Sequence, residues 1–205
     1  MISTQKVQKI LLITAIVAII TYFLHVWVGT YLYEGYNPLS QAISDLTADD
    51  SPVKTIARTL SSIYGLLSTI VVLGFIYYRG IFNHKISRLG LLFFSTMMIV
   101  SATGYALFPL SASGYAGSFQ DVMHMIVTII VVSFTIISLI LLAIGFKNKI
   151  YRMITIASFI LLMTSSMLMS VVSPNYFGVM ERISVYTVVL YFGFLSIVVL
   201  HKRGI

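Results

Sequence analysis

Six long apolar runs alternate along the chain with short polar segments. The runs cover residues 9–33, 56–78, 89–108, 121–146, 153–173 and 181–200. The segments between them are residues 34–55, RGIFNHKISR (79–88), PLSASGYAGSFQ (109–120), KNKIYR (147–152) and SPNYFGVM (173–180). A helix needs about 20 apolar residues to cross a hydrocarbon core ~30 Å thick, and each run is long enough. Lys6 and Lys9 precede the first run as they would in a signal peptide. That run is too long for a signal core, and no small-residue cleavage site follows it, so a retained helix is expected. The pattern predicts an all-α bundle of six transmembrane helices, forming a single integral membrane domain over residues 1–205.

Composition narrows the class further. The chain is 59% hydrophobic and 9% charged, whereas soluble domains are about 25% charged. It has no cysteine, which removes disulfides, thiolate catalysis and cysteine-bound metals together. The formal charge of +7 raises the question of nucleic acid, but the placement of the charges answers it differently. Lys6, Lys9, Arg79, Lys85, Arg88, Lys147, Lys149, Arg152, Lys202 and Arg203 fall on one side of the six-helix pattern; only Lys54, Arg58 and Arg182 fall on the other. Cytoplasmic loops are the ones enriched in Lys and Arg. Both termini are therefore expected in the cytoplasm, with the basic loops against anionic headgroups and no nucleic-acid partner. His84 and His201 lie in these basic segments and read as solvated. A multi-pass protein of the cell membrane is expected.

The same map sends all six acids (Glu34, Asp45, Asp49, Asp50, Asp121, Glu181) and all four prolines to the outer side. Three of those acids and two prolines crowd into YNPLSQAISDLTADDSP, residues 36–52. Asn37 before Pro38 reads as a helix start. Leu39, Ala42, Ile43 and Leu46 then recur at helical spacing, which predicts a short amphipathic helix in this loop, at the membrane surface. Ser51 and Pro52 predict the start of the second long helix, and Asp49 and Asp50 stand where the helix dipole favours negative charge. A magnesium–diphosphate role for that aspartate pair would need further carboxylates one turn on, where Lys54 stands instead. Asp45 has no such local account. It is expected to need a partner, with Arg58, Arg182 and His124 in reach.

Other outer helix ends supply further polar groups. Ser118 and Asp121 fit a capping box, and Asp121 and His124 share one helix face. His124 lies a turn deeper, where an ionisable group is a functional candidate. Glu181 and Arg182 open the sixth helix. His25 sits eight residues before the end of the first run, about 12 Å down at 1.5 Å per residue. It reads either as a neutral imidazole hydrogen-bonded to a neighbouring helix or as part of an outward-opening polar cavity. Asp45, His124 and Glu181 are expected to converge, with residues 38–47 folded over them, because carboxylates near hydrocarbon are costly unless paired or hydrated. Thr164, Ser165 and Ser166 in the fifth run read as helix-contact residues.

Ser44-Asp45-Leu46 after a proline-bearing loop, Phe108-Pro109 ending the third run, His124 opening the fourth and Glu181-Arg182 opening the sixth together resemble a family of six-span prokaryotic membrane proteins, domain of unknown function 998. The resemblance runs from about residue 10 to 200. The family's pattern usually has glycine after Ser-Asp-Leu, where this chain has Thr47. It often has an aspartate soon after Phe-Pro, where this chain has Leu110-Ser111, so a mechanism needing that carboxylate is in doubt. The resemblance implies architecture and no established activity. It extends distantly to eukaryotic six-span proteins linked to lipid organisation and autophagy.

Three functional readings follow. The first is a non-enzymatic membrane protein that binds or organises membrane lipid, or an unidentified protein partner, through an outward-facing polar cluster: Ser44, Asp45, Asp121, His124, Glu181, Arg182, His25 and Arg58. The second is an outward-facing hydrolase or transferase on a lipid or envelope substrate, with Asp45, His124 and Glu181 sharing acid–base work. The third is a small transporter, although no repeat or pair of broken helices supports one. No HExxH, GxSxG or Walker loop is present, Ser44 has no histidine fixed near it, and one histidine among carboxylates is a poor zinc set. No cofactor or metal is expected. The topology has a direct test: cysteine introduced at Ser113 should react with an impermeant thiol reagent in intact cells, and cysteine at Asn148 should not. The reverse pattern would invert the orientation.

Overall fold

The computed structural model describes residues 3–200. His201, Lys202 and Arg203 lie outside the described residues. The chain forms six long helices: α1 (Thr4–Leu32), α2 (Lys54–Tyr78), α3 (Lys85–Leu107), α4 (Phe119–Gly145), α5 (Lys149–Leu168) and α6 (Phe177–Leu200). Single 3-10 turns occupy Ile43–Thr47, Arg79–Ile81 and Pro174–Tyr176, and no strand occurs among the described residues. All six helices are long and apolar enough to cross a membrane. Several begin before their apolar runs, α3 at Lys85 and α5 at Lys149. The helical hydrogen-bond pattern continues through the interface, where lysine stems reach water without breaking it.

The connections define two ends. Residues 33–53, 108–118 and 169–176 meet at what we call the loop end, joined by Asp49 N–H to Leu110 O (2.9 Å) and Val179 N–H to Leu39 O (3.1 Å). The turns at 79–84 and 146–148 form the basic end, where Phe82 and Phe146 rings pack 5.6 Å apart.

Adjacent helices in sequence pack side by side, α1 on α2 and α3 on α4 most extensively, with α6 closing against α1, α2 and α5. The core is built from Phe75, Phe94, Phe192, Leu91, Leu142 and Leu195, all fully buried. Close approach is set by missing side chains. A Cβ on Gly90 would stand 3.0 Å from Leu142 N, and one on Gly65 would stand 3.2 Å from Ala102 Cβ. The outward faces stay apolar, with Ile13, Ile20, Ile129 and Ile160 all more than half exposed. Interior hydroxyls turn back on their own helix, Ser95 to Leu91 O and Ser196 to Phe192 O, both at 2.8 Å. Others bridge helices, as Ser165 Oγ does with Ser184 Oγ at 2.6 Å, the helix-contact role expected for that stretch. A hydrocarbon solvent demands this arrangement, because it offers nothing to hydrogen-bond.

Residues 36–53 depart from the expected surface helix. Asn37 Oδ1 accepts from Leu39 N–H (3.0 Å), which makes a turn rather than a helix start. Only Ile43–Thr47 is helical, as one 3-10 turn, and it is folded into the bundle. Leu46 is fully buried and a Cβ on Gly29 of α1 would stand 3.0 Å from it. The second helix also starts later than Ser51-Pro52, at Lys54, because Ser51 Oγ accepts from Val53 N–H (3.3 Å) and holds a turn there.

Candidate functional site

The loop end is held by carboxylates bonded to backbone amides. Folding residues 36–53 onto the helix ends takes their N–H groups away from water, and each buried N–H then needs an acceptor. Ala42 N–H is accepted by Asp45 Oδ2 (3.0 Å) and the next amide, Ile43 N–H, by Glu181 Oε2 (2.6 Å). Two carboxylates from distant parts of the chain therefore share the first two amides of one turn. Asp45 spends its other oxygen on a third segment, accepting Gly114 N–H at 3.0 Å. Gly114 and Tyr115 both have positive φ (79° and 68°), a shape that turns this loop toward Asp45.

Asp45 is thus buried, 3% exposed, without a cationic partner. The expected pairing with Arg58, Arg182 or His124 does not form. Amide donors replace the cation, and charge-assisted hydrogen bonds of this kind are the stronger class. Asp49 and Asp50 do not act at the start of α2 either. Asp49 Oδ1 pairs with Arg58 Nη2 (2.9 Å), its Oδ2 accepts from Gln120 Nε2 (2.9 Å), and its carbonyl accepts from Lys54 Nζ. The hydrogen bond from Arg58 holds the Asp49 carboxyl below the usual carboxylate range, and Gln120 adds to it. Asp50 accepts Ser113 N–H (3.0 Å), tying the first loop to the second.

The arginines close the remaining carbonyls. Arg58 Nε donates to Thr47 O (2.8 Å). Arg182 donates to Gln41 O and Gly178 O, both at 2.9 Å, and to the Tyr36 hydroxyl at 2.6 Å, while its guanidinium stands 5.7 Å from the Tyr36 ring centre. Tyr36 passes its own proton to Ala42 O (2.7 Å). Burial pushes this hydroxyl up to about 12, against the opposing pull of Arg182, so it stays a donor. Ser44 is half-buried and only its carbonyl is engaged, by Thr47 Oγ1 at 3.0 Å.

The predicted capping box forms, with Ser118 Oγ accepting Asp121 N–H (3.2 Å) and Asp121 Oδ2 accepting Ser118 N–H (3.0 Å). Asp121 also accepts from Ser111 N–H (2.7 Å) and Ser111 Oγ (2.8 Å), so it anchors the 108–118 loop as well. One turn deeper, His124 Nδ1 lies 2.8 Å from Phe108 O. A carbonyl only accepts, which assigns the hydrogen to Nδ1 and leaves Nε2 as an acceptor in the neutral ring. Tyr105 stacks on it with centroids 4.8 Å apart. His124 lies within electrostatic reach of Asp45 and Asp121, and Glu181 within reach of Asp45. Of the three residues expected to converge, Asp45 and Glu181 meet through the amides of the 43–47 turn, while His124 is bonded to Phe108 at the start of the neighbouring loop.

His25 stands apart from this network. It is 3% exposed, its ring is edge-on to Tyr22 (5.7 Å), and neither nitrogen has a hydrogen-bond partner among the described residues. The expected bond to a neighbouring helix is absent. Among the described residues, no group of three or more His, Asp and Glu side chains is placed to hold a metal. Tyr36, Gln41, Ser111, Ser113, Gly114 and Gln120 complete the network and were not singled out by sequence. Only the glycines of the 109–120 segment carried a signal, as turn formers.

Six membrane-length helices capped at one end by loops bound through carboxylates define a polytopic helical membrane protein with a closed polar end. The chain belongs to the family described as protein of unknown function (DUF998), whose model matches residues 16–198. Searches of curated proteins and of solved structures return no match.

Two substitutions test the geometry. Asp45→Asn replaces with a donor one of the two buried oxygens that accept Ala42 N–H and Gly114 N–H, a loss of about 1.5–3 kcal/mol for a charged hydrogen bond. Asp49→Asn weakens a half-exposed pair, expected to be worth no more than about 1 kcal/mol. The melting temperature in detergent should therefore fall clearly further for Asp45→Asn; equal falls would make Asp45 an ordinary loop acid. His25→Phe should leave the melting temperature unchanged or raise it, since an unsatisfied buried polar group costs about 1–3 kcal/mol. A marked drop would mean that the imidazole is bonded in the membrane.

Proposed function

We propose that this protein is non-catalytic and binds or organises membrane lipid at its loop end, which we take as the outer end because the basic residues gather at the other. The observation that carries the reading is the commitment of the carboxylates. Asp45 and Asp121 spend both oxygens on loop amides and hydroxyls, and Glu181 spends one on Ile43. Acid–base or metal chemistry needs such groups uncommitted and aimed at a common point. Here they fix three loops into one surface. Around that surface stand exposed aromatic and aliphatic groups: Trp27, Tyr31, Leu107, Phe119 and Tyr176, each more than half exposed. Aromatic side chains at headgroup level are the usual anchors of a protein to its lipid.

One observation favours a second reading, an outward-facing hydrolase or transferase. His124 keeps Nε2 as an acceptor, held in one orientation by Phe108, with Asp45 in electrostatic reach. Lipids extracted from the purified protein and identified by mass spectrometry separate the two. Wild type should carry one lipid class enriched over the bulk membrane, Asp45→Asn should carry less of it, and His124→Gln should carry as much. Absence of any enrichment would reject the lipid reading. Time-dependent conversion of added membrane lipid by wild type, abolished in His124→Gln, would establish the enzyme instead.

A further inference from the structure

The basic end holds a cavity of about 60 Å³ where the start of α3, the end of α4 and the start of α5 meet. Its walls include Phe82, His84, Ser87, Phe146, Lys147 and Tyr151. The aromatic side is continuous, with Phe82 and Phe146 centroids 5.6 Å apart and Phe146 and Tyr151 5.8 Å apart. A cavity needs about 10–15 Å³ to hold one water, so this one has room for a small polyatomic group.

Charge makes the cavity unusual. Lys85 and Arg88 flank it on α3, and Lys147, Lys149 and Arg152 follow from the end of α4 into α5. Arg88 is fixed against the wall itself, its Nε donating to Phe82 O at 2.6 Å. Among the described residues no side-chain carboxylate compensates them: the six Asp and Glu residues lie in or beside the loop-end segments, and the ion pair Arg58–Asp49 is there too. Of these cations, Lys147 lines the cavity and Arg88 is bonded to its wall; like charges at one end of the bundle repel, and an anion seated beside them offsets that cost. At a membrane interface the abundant anion is phosphate, and basic pockets between transmembrane helices take lipid headgroups. The first turn of α3, with no side-chain cap at His84, adds backbone donors on the same side.

We infer that this cavity binds a phosphate group, carried by an anionic phospholipid or free in solution, with Lys147 as its principal contact. The aromatic wall suits the carbon atoms next to a headgroup phosphate. This site is independent of the loop end and of the function proposed for it.

The test is thermal unfolding of the full chain in neutral detergent. It is titrated separately with dioctanoyl phosphatidylglycerol, with dioctanoylglycerol and with inorganic phosphate. A saturable rise in melting temperature is expected with a phosphate-bearing probe and not with dioctanoylglycerol. Lys147→Gln should raise the half-saturating concentration about tenfold, as for loss of one charge-assisted contact. Lys6→Gln, an equal charge change at the same end but off the cavity, should move it less than about twofold. A rise with phosphatidylglycerol alone assigns a lipid headgroup, and a rise with inorganic phosphate assigns the free anion. The inference is overturned by no rise with either, by an equal rise with dioctanoylglycerol, or by equal weakening in the two variants.

Discussion

The amide of Ile43 and the carboxylate of Glu181, 2.6 Å apart and 138 residues distant in sequence, state the constraint on which the loop end rests. Once a loop is folded onto the helix ends, its N–H groups lose water, and the surrounding lipid and apolar side chains cannot replace it. Six-helix packing alone would leave those donors unpaired. Acids at the helix and loop ends supply the acceptors: Glu181 from α6, Asp121 from α4, Asp45 and Asp50 from within the loops. The bonds of Glu181 to Ile43, Asp121 to Ser111, Asp50 to Ser113 and Asp45 to Gly114 each join two segments, so satisfying the backbone and assembling the cap are one event. Carboxylates suit the task because each offers two oxygens and charge-assisted strength.

This accounts for the crowding of acids into residues 36–52 without a catalytic role. A local reading assigned Asp49 and Asp50 to the start of α2, yet they reach across to Gln120 and Ser113. Local assignment fails here because the competing partners are better. Direct hydrogen bonds from Arg58, Gln120 and Ser113 outweigh a dipole effect worth about 0.3–1 kcal/mol at an exposed first turn.

The large features of the fold were legible because they depend on solvent alone. Apolar run length gave six helices, and the Ser118–Asp121 spacing gave a capping box that forms. The meeting of Asp45 and Glu181 at one turn was also accessible, since costly carboxylates at one depth have reason to share donors. Their partners were not. Nothing in the spacing links residue 45 to residue 114, because the bond depends on the positive-φ turn at Gly114 and on how α3 and α4 present their loop. The inward folding of residues 38–47 was expected, but not that its helix is reduced to the single 3-10 turn Ile43–Thr47, with Leu46 seated against Gly29.

The two ends of the bundle solve opposite electrostatic problems. At the loop end six acids face Lys54, Arg58 and Arg182, an imbalance of minus three that is absorbed by backbone N–H dipoles rather than by cations. At the basic end the cations have no Asp or Glu partner among the described residues, and Arg88 and Arg79 turn instead to the carbonyls of Phe82 and Ile76. Backbone groups neutralise one end from within, whereas the other is left to whatever anion the membrane or the solution provides. His25 belongs to neither solution: lying in α1 below the cap, it has lost water without gaining a donor or an acceptor. Its ring is packed into the bundle all the same, 3% exposed and edge-on to Tyr22 at 5.7 Å.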